Sequence, residues 1–229
     1  VIVLAAKPPP FEGFRLFLPK LNDGLMSDWP QEAIMEHGLS IEQLREMVSN
    51  LRKEGLNSQQ IADELSLSQD TIAWLLAGVS TTEKPKDVRI GWRTIGVRPQ
   101  RIAAIGAIMA DVVAEECGDS IDTIVGISIN GVLFANEVAN QLGCEVAIHR
   151  NVDGSPGKGA LSNKYGQVSG KRIVIVDDVL STGVTMSKTI ESMREAGAEV
   201  ALCLVLVNKT VRNEIEEIPL SGIIRAAVV

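Results

Sequence analysis

Aromatic side chains are scarce in this chain: three tryptophans, one tyrosine and four phenylalanines among 229 residues, 3% of the total. The core must therefore come from Ile, Val, Leu and Ala. The strand-like runs are nearly continuous in those residues, the pattern of a parallel sheet covered on both faces. Cysteine is also sparse. Cys117, Cys144 and Cys203 stand far apart in apolar stretches, with no metal-ligand spacing and no even count for a disulfide framework, so all three are expected to act as small core residues. The two histidines, His37 and His149, are too few for a zinc site, and His37 reads as a surface residue near a helix start. No apolar run approaches the roughly 18 residues of a membrane span. Residues 1–25 hold three consecutive prolines and show no clear period. Their apolar opening is too short for a secretory leader. They are expected to be a tail outside the fold, with Met26 as a natural start, and the protein is expected in the cytoplasm.

Positive charge is lacking too. The net charge is −7 and the pI about 5.0, which disfavours non-specific binding to nucleic acid, where phosphates must be neutralised.

What is present falls into two patterns. Residues 26–80 read as helices only. Ile41, Leu44, Met47, Val48 and Leu51 recur at helical spacing behind a potential cap at Ser40, and Gly55 stops that helix. Asn57 caps a second helix, with Gln60 in capping-box position and Ile61, Ala62 and Leu65 inward. Ser66-Leu67 makes a turn. Ser68 caps a third helix with Ile72, Leu75 and Leu76 inward, ended by Gly78. Two short helices around a tight turn with a buried leucine resemble a helix-turn-helix, which places its last helix in the major groove. Ser68, Gln69, Asp70, Thr71 and Trp74 are the expected DNA contacts, and Gln can pair bidentately with adenine. The alternative is a three-helix bundle that only dimerises. Charge favours it, since Met26 to Lys84 holds four basic residues against ten acidic ones.

Residues 81–87 read as a linker. From residue 88 to 229 strands alternate with helices: a helix over 99–116, a strand over 123–128, a helix over 132–142, strands over 145–149 and 172–176, a helix over 184–196 and a strand over 199–207. That alternation predicts a parallel α/β sheet. The informative stretch is RIVIVDDVLSTGVT, residues 172–185. An apolar strand runs into Asp177-Asp178, and Ser181-Thr182-Gly183-Val184-Thr185 then opens a helix. Backbone N–H groups at a helix start, with three hydroxyls beside them, can cradle a phosphate. Adjacent carboxylates at the carboxyl end of a strand can accept hydrogen bonds from vicinal ribose hydroxyls.

This segment resembles the fingerprint of type I phosphoribosyltransferases. The resemblance implies that Asp177 and Asp178 meet the ribose hydroxyls of phosphoribosyl pyrophosphate, that Ser181, Thr182, Gly183, Val184 and Thr185 hold its 5-phosphate, and that Mg²⁺ arrives mostly through the ligand. VGISINGV (125–132) looks like the family's pyrophosphate loop, with Ser128, Ile129, Asn130 and Gly131 presenting backbone donors. The loop 149–171 carries Arg150, Lys158 and Lys164 as possible ligand contacts, but lacks the tight Lys pair and the His-Gly of orotate enzymes. The subdomain that holds the nucleobase has only residues 87–102 and 218–229 left to build it. Within that segment Trp92 either stacks on a base or sugar or packs between the modules, and both readings stay open.

Residues 40–229 as a whole resemble the archaeal orotate-phosphoribosyltransferase-like regulators of sugar catabolism. The expected protein is α/β, a type I phosphoribosyltransferase fold with a parallel sheet flanked by helices, preceded by a small all-α helix-turn-helix domain. The resemblance implies a homodimer on a palindromic promoter site, responding to phosphoribosyl pyrophosphate or a related sugar phosphate. The other expectation is an active orotate or purine phosphoribosyltransferase.

Overall fold

A computed structural model describes residues 40–78, 85–151, 159–162 and 164–226. The expected tail 1–25, His37, most of the linker and Lys158 lie outside the described residues.

The helical unit begins with α1 (Ile41–Lys53), α2 (Ser58–Leu65) and α3 (Gln69–Ala77). Each start is built by its own cap. The Ser40 and Asn57 side chains each accept from the backbone N–H three residues on, and Gln43 and Gln60 reach back to complete two capping boxes. Ser68 accepts from the Thr71 N–H. These bonds satisfy donors that a helix start otherwise leaves orphaned. Ser66, at φ 51, turns the chain between α2 and α3, and Gly78 ends α3 at φ 67. Val48, Ile61, Leu65, Leu67, Ile72 and Leu75 close a small core of their own.

The second part comprises α4 (Arg93–Gly96), α5 (Pro99–Cys117), β1 (Thr123–Ile127), α6 (Ser128–Leu142), β2 (Glu145–Asn151), β3 (Gly159–Leu161), β4 (Arg172–Leu180), α7 (Val184–Glu195), β5 (Glu199–Asn208), β6 (Glu214–Ile215) and β7 (Ile218–Arg225). The sheet order is β3-β2-β1-β4-β5-β7-β6. The five inner strands run parallel, and the two-to-three-residue strands at the rims pair antiparallel. Strand residues alternate between two apolar layers. Val125, Ile173, Ile175, Cys203 and Val205 face α7 through Met186, Ile190 and Met193. Ile124, Val174, Val176, Leu202 and Leu204 face α5 and α6 through Met109, Val113, Phe134 and Val138. Burial on both faces explains why these strands show no polar alternation. Cys203 is buried, while Cys117 and Cys144 are half-buried against the second layer.

Three expectations are corrected. The segment 218–229 was expected to help hold a base, but Ile218–Arg225 is a strand paired parallel with β5; its alternating apolar residues are used by the sheet. The strand expected to end before Asp177 continues to Leu180, because β5 offers pairing partners as far as Asn208. The helix expected from Val132 begins at Ser128, so the presumed pyrophosphate loop is the first turn of α6. Its backbone donors remain, since the opening N–H groups of a helix have no partner within it.

Both parts belong to one compact unit that starts at Ser40. They are tied where the linker ends. Lys209, just beyond β5, forms an ion pair of 2.5 Å with Asp87, with 5% and 9% of the two side chains exposed. The same ammonium donates to the Ser66 carbonyl, 3.2 Å away at the end of α2.

Candidate functional site

The site forms where β4 ends and α7 begins. Asp178 is buried and accepts two hydrogen bonds on one oxygen, from the Trp92 indole N–H at 3.0 Å and from the Asn130 amide at 3.1 Å. The Asp178 N–H donates to Asp177 Oδ1 at 2.9 Å. Burial pushes the Asp177 carboxyl well above its ordinary range, and the charge of Asp178 beside it pushes the same way. Burial also raises Asp178, against the bonds that favour its ionised form. A buried carboxylate pair of this kind favours a neutralising partner: a proton, a cation, or hydroxyl donors.

Beyond Asp178 the face alternation slips, with Val179 in the α5/α6 layer and Leu180 in the α7 layer. The chain then turns at Gly183, whose φ of 87 belongs to the left-handed region, conformational space that glycine enters without penalty. Val184 and Thr182 are exposed, Ser181 and Thr185 are half-buried, and the Val184 N–H at the start of α7 donates to Thr182 Oγ1 at 3.4 Å. The first turn of α6 approaches from the other side. A methyl group built on Gly131 would lie 2.7 Å from the Val176 carbonyl oxygen and 3.0 Å from Asp177 Oδ1. Gly131 therefore allows the helix start to touch the acidic strand end. Ile129, beside it, is 86% exposed.

Part of this set lines a cavity of about 200 Å³, of which Trp92, Ile129 and Gly131 are not part. Asn130, Asp177, Asp178 and Ser181–Thr185 line one wall; Asp63, Ser66, Leu67, Gln69 and Asp70 of the helical unit line the other. Asp63 is exposed as a residue, but the protein crowded around its carboxyl, and then the charge of Asp178, push it up to about 6. The Gln59 amide donates to Thr185 Oγ1 at 3.4 Å. Among the described residues no group of three or more His, Cys, Asp or Glu could hold a metal ion. Of the four carboxylates lining the cavity, Asp177 and Asp178 would hold a magnesium ion only together with water and ligand oxygens, not as a protein cage.

The expected DNA contacts separate. Gln69 and Asp70 are exposed, yet they face this cavity. Thr71, expected at a base edge, is instead 8% exposed. Its hydroxyl donates to Asp87 at 2.8 Å, and the Ser68 N–H donates to the same oxygen at 2.7 Å. Trp74, also expected at DNA, packs half-buried on the helical core with the Arg45 guanidinium 5.3 Å from its ring centre. Thr71 is drawn inward by Asp87, and Trp74 by apolar packing on the helical core. Arg150 and Lys164 are exposed and do not line the cavity.

Trp92 combines hydrogen bonding with packing: its N–H meets Asp178 while its ring lies 5.5 Å from Phe134. Asp63, Gln59, Asp87 and Lys209 escaped the sequence reading. Nothing in the local pattern pairs residue 63 with 178, or 87 with 209. The one available signal was the lone Lys209 after an unbroken apolar strand.

An acid pair within the last residues of a strand, followed by a hydroxyl-rich turn into a helix, is the pattern of a phosphoribosyl transferase domain, and residues 91–223 match that domain family. At the level of fold alone, the chain is similar to orotate phosphoribosyltransferase from Aeropyrum pernix (TM-score 0.51, 20% identity, 64% of this chain and 83% of that one). Adenine phosphoribosyltransferase from Thermoanaerobacter pseudethanolicus is comparable (TM-score 0.50, 19% identity, 62% and 90%). Among curated proteins it is 37% identical to the transcriptional regulator GfcR of Thermoplasma acidophilum, over 83% of this chain and 98% of that protein. It is 36% identical to GfcR of Archaeoglobus fulgidus, over 81% and 96%. The chain belongs to the GfcR family of transcriptional regulators, with a phosphoribosyl transferase domain as its larger part.

Proposed function

We propose that this protein is a DNA-binding transcriptional regulator whose transferase-type cleft senses a phosphorylated ribose or sugar compound. The helical unit is its helix-turn-helix, and Gln69 and Asp70 at the start of α3 are its base-reading residues. The chain acts as a homodimer on a palindromic promoter site. In the cleft, Asp177 and Asp178 receive vicinal hydroxyls, while Ser181–Thr185 and the start of α7 hold the terminal phosphate. The α6 start, Ser128–Gly131, faces a pyrophosphate. Mg²⁺ enters on the ligand and offsets the carboxylate charge.

One observation carries the reading: proteins named as transcriptional regulators match along 98% and 96% of their length, so the likeness takes in the helical unit as well as the cleft. Fold likeness to the transferases weighs less, because one fold serves many functions.

The test is selection of genomic fragments by the purified protein at low and physiological salt, with and without phosphoribosyl pyrophosphate and Mg²⁺. Enrichment of a short palindromic site is the expected result. Enrichment of nothing over bulk DNA, together with turnover of phosphoribosyl pyrophosphate in the presence of a nucleobase, would replace the regulator with an enzyme.

A further inference from the structure

The helical unit occupies the mouth of the cleft, and four features decide what that does. First, the Thr185 hydroxyl at the phosphate turn is already bonded to Gln59. Second, Asp63 and Asp70 face the wall that carries Asp177 and Asp178, so an incoming phosphate meets four carboxylates, two of them brought by the helices. Third, Ala62, Ser66, Leu67 and Gln69 of the helical unit wall one side of the cavity that holds Ser181–Thr185. Fourth, the closure is latched. Lys209 holds Asp87 and Ser66 together, and Asp87 in turn accepts from Ser68 and Thr71 at the start of α3. Burial acts to raise the Asp87 carboxyl, but the bonds from Lys209 and from the Ser68 N–H outweigh it and hold it below its ordinary value.

We infer that the α2–α3 segment is an intramolecular plug of the phosphate cleft, latched by Lys209 and Asp87, and that a phosphorylated ligand and the docked helices exclude one another. This rests on the ligand-sensing reading above and supplies its direction. In the docked state Gln69 and Asp70 line the cleft wall, and the start of α3 is held there through Asp87. Ligand binding displaces the plug, frees the start of α3 and favours the DNA-competent form. The ligand acts only through its unequal affinity for the two states. Its apparent dissociation constant is raised in proportion as the open state is rare.

The experiment measures phosphoribosyl pyrophosphate binding, with Mg²⁺, to the full chain by calorimetry. Lys209→Ala removes the latch, and Gln59→Ala removes the contact to the phosphate turn; circular dichroism checks that each folds. Opening the plug is expected to tighten binding about tenfold in Lys209→Ala, and to a lesser degree in Gln59→Ala. Amide exchange of residues 58–70 is expected to speed up when ligand is added to the parent chain. Equal or weaker binding by both variants, or slower exchange of 58–70 with ligand, overturns the plug while leaving ligand sensing intact. Absence of binding in all three chains overturns the sensing reading and the plug with it.

Discussion

Asp63 has an ordinary side chain in an unusual place. Asp63 is exposed as a residue, but the protein crowded around its carboxyl, and then the charge of Asp178, raise that carboxyl to about 6, against 3.8 in an open chain. The folded protein therefore holds that proton more tightly than the unfolded chain. The resulting stabilisation is complete below 3.8 and is lost as pH rises through about 6. Asp63→Asn keeps the neutral form at every pH. It is expected to melt at a higher temperature than the parent at pH 7.5 and at the same temperature below pH 3.8; equal melting at pH 7.5 would mean that Asp63 does not feel Asp178. Gly131 poses a steric rather than an electrostatic limit. An added methyl meets backbone at 2.7 Å, which cannot yield as a flexible side chain can. Gly131→Ala is expected to cost about 1–3 kcal/mol, as overpacking does, and to weaken phosphate binding because Asp177 moves with the strand end. Urea denaturation reads the first effect and calorimetry the second.

At the scale of elements, the starts of the helices were the most legible feature. Ser40, Asn57 and Ser68 cap α1, α2 and α3 as read from the chain, because a cap is settled within four residues by one hydrogen bond. Asn57→Ala removes an acceptor from the eight-residue α2 and is expected to cost about 0.5–2 kcal/mol; a thermal melt unchanged from the parent would show that the helix is held by its packing alone. The strand ends were harder to read. Asp177 and Asp178 resemble the close of a strand in sequence, yet β4 runs to Leu180 since β5 pairs with it there. The residues 218–225 were misplaced for the same reason: a strand is completed by its pairing neighbour, here β5, and not by its own sequence. The opening of α6 differs again, because S-I-N-G reads as a loop until the helix behind it propagates forward.

The molecule as a whole carries a charge of −7, and its helical unit from Ser40 to Gly78 has only Arg45, Arg52 and Lys53 as basic residues. A dimer that touches DNA through this unit alone offers six cations. The logarithm of its affinity is then expected to fall against that of salt with a slope no steeper than about −5. A competition titration across salt concentrations measures it; a steeper slope would place phosphate contacts on the larger domain. The sequence by itself determined the layered α/β class, the three caps, the acid pair and the hydroxyl-rich turn into α7. Those depend on periodicity, capping and short-range spacing, which are local. Only the tertiary structure decided that Trp92 binds Asp178, that Lys209 latches Asp87, that Thr71 turns inward and that the start of α3 faces the cleft. Each of these joins residues remote in the chain, or turns a residue toward such a partner. Which remote groups meet depends on how two apolar faces pack, and no local pattern encodes that.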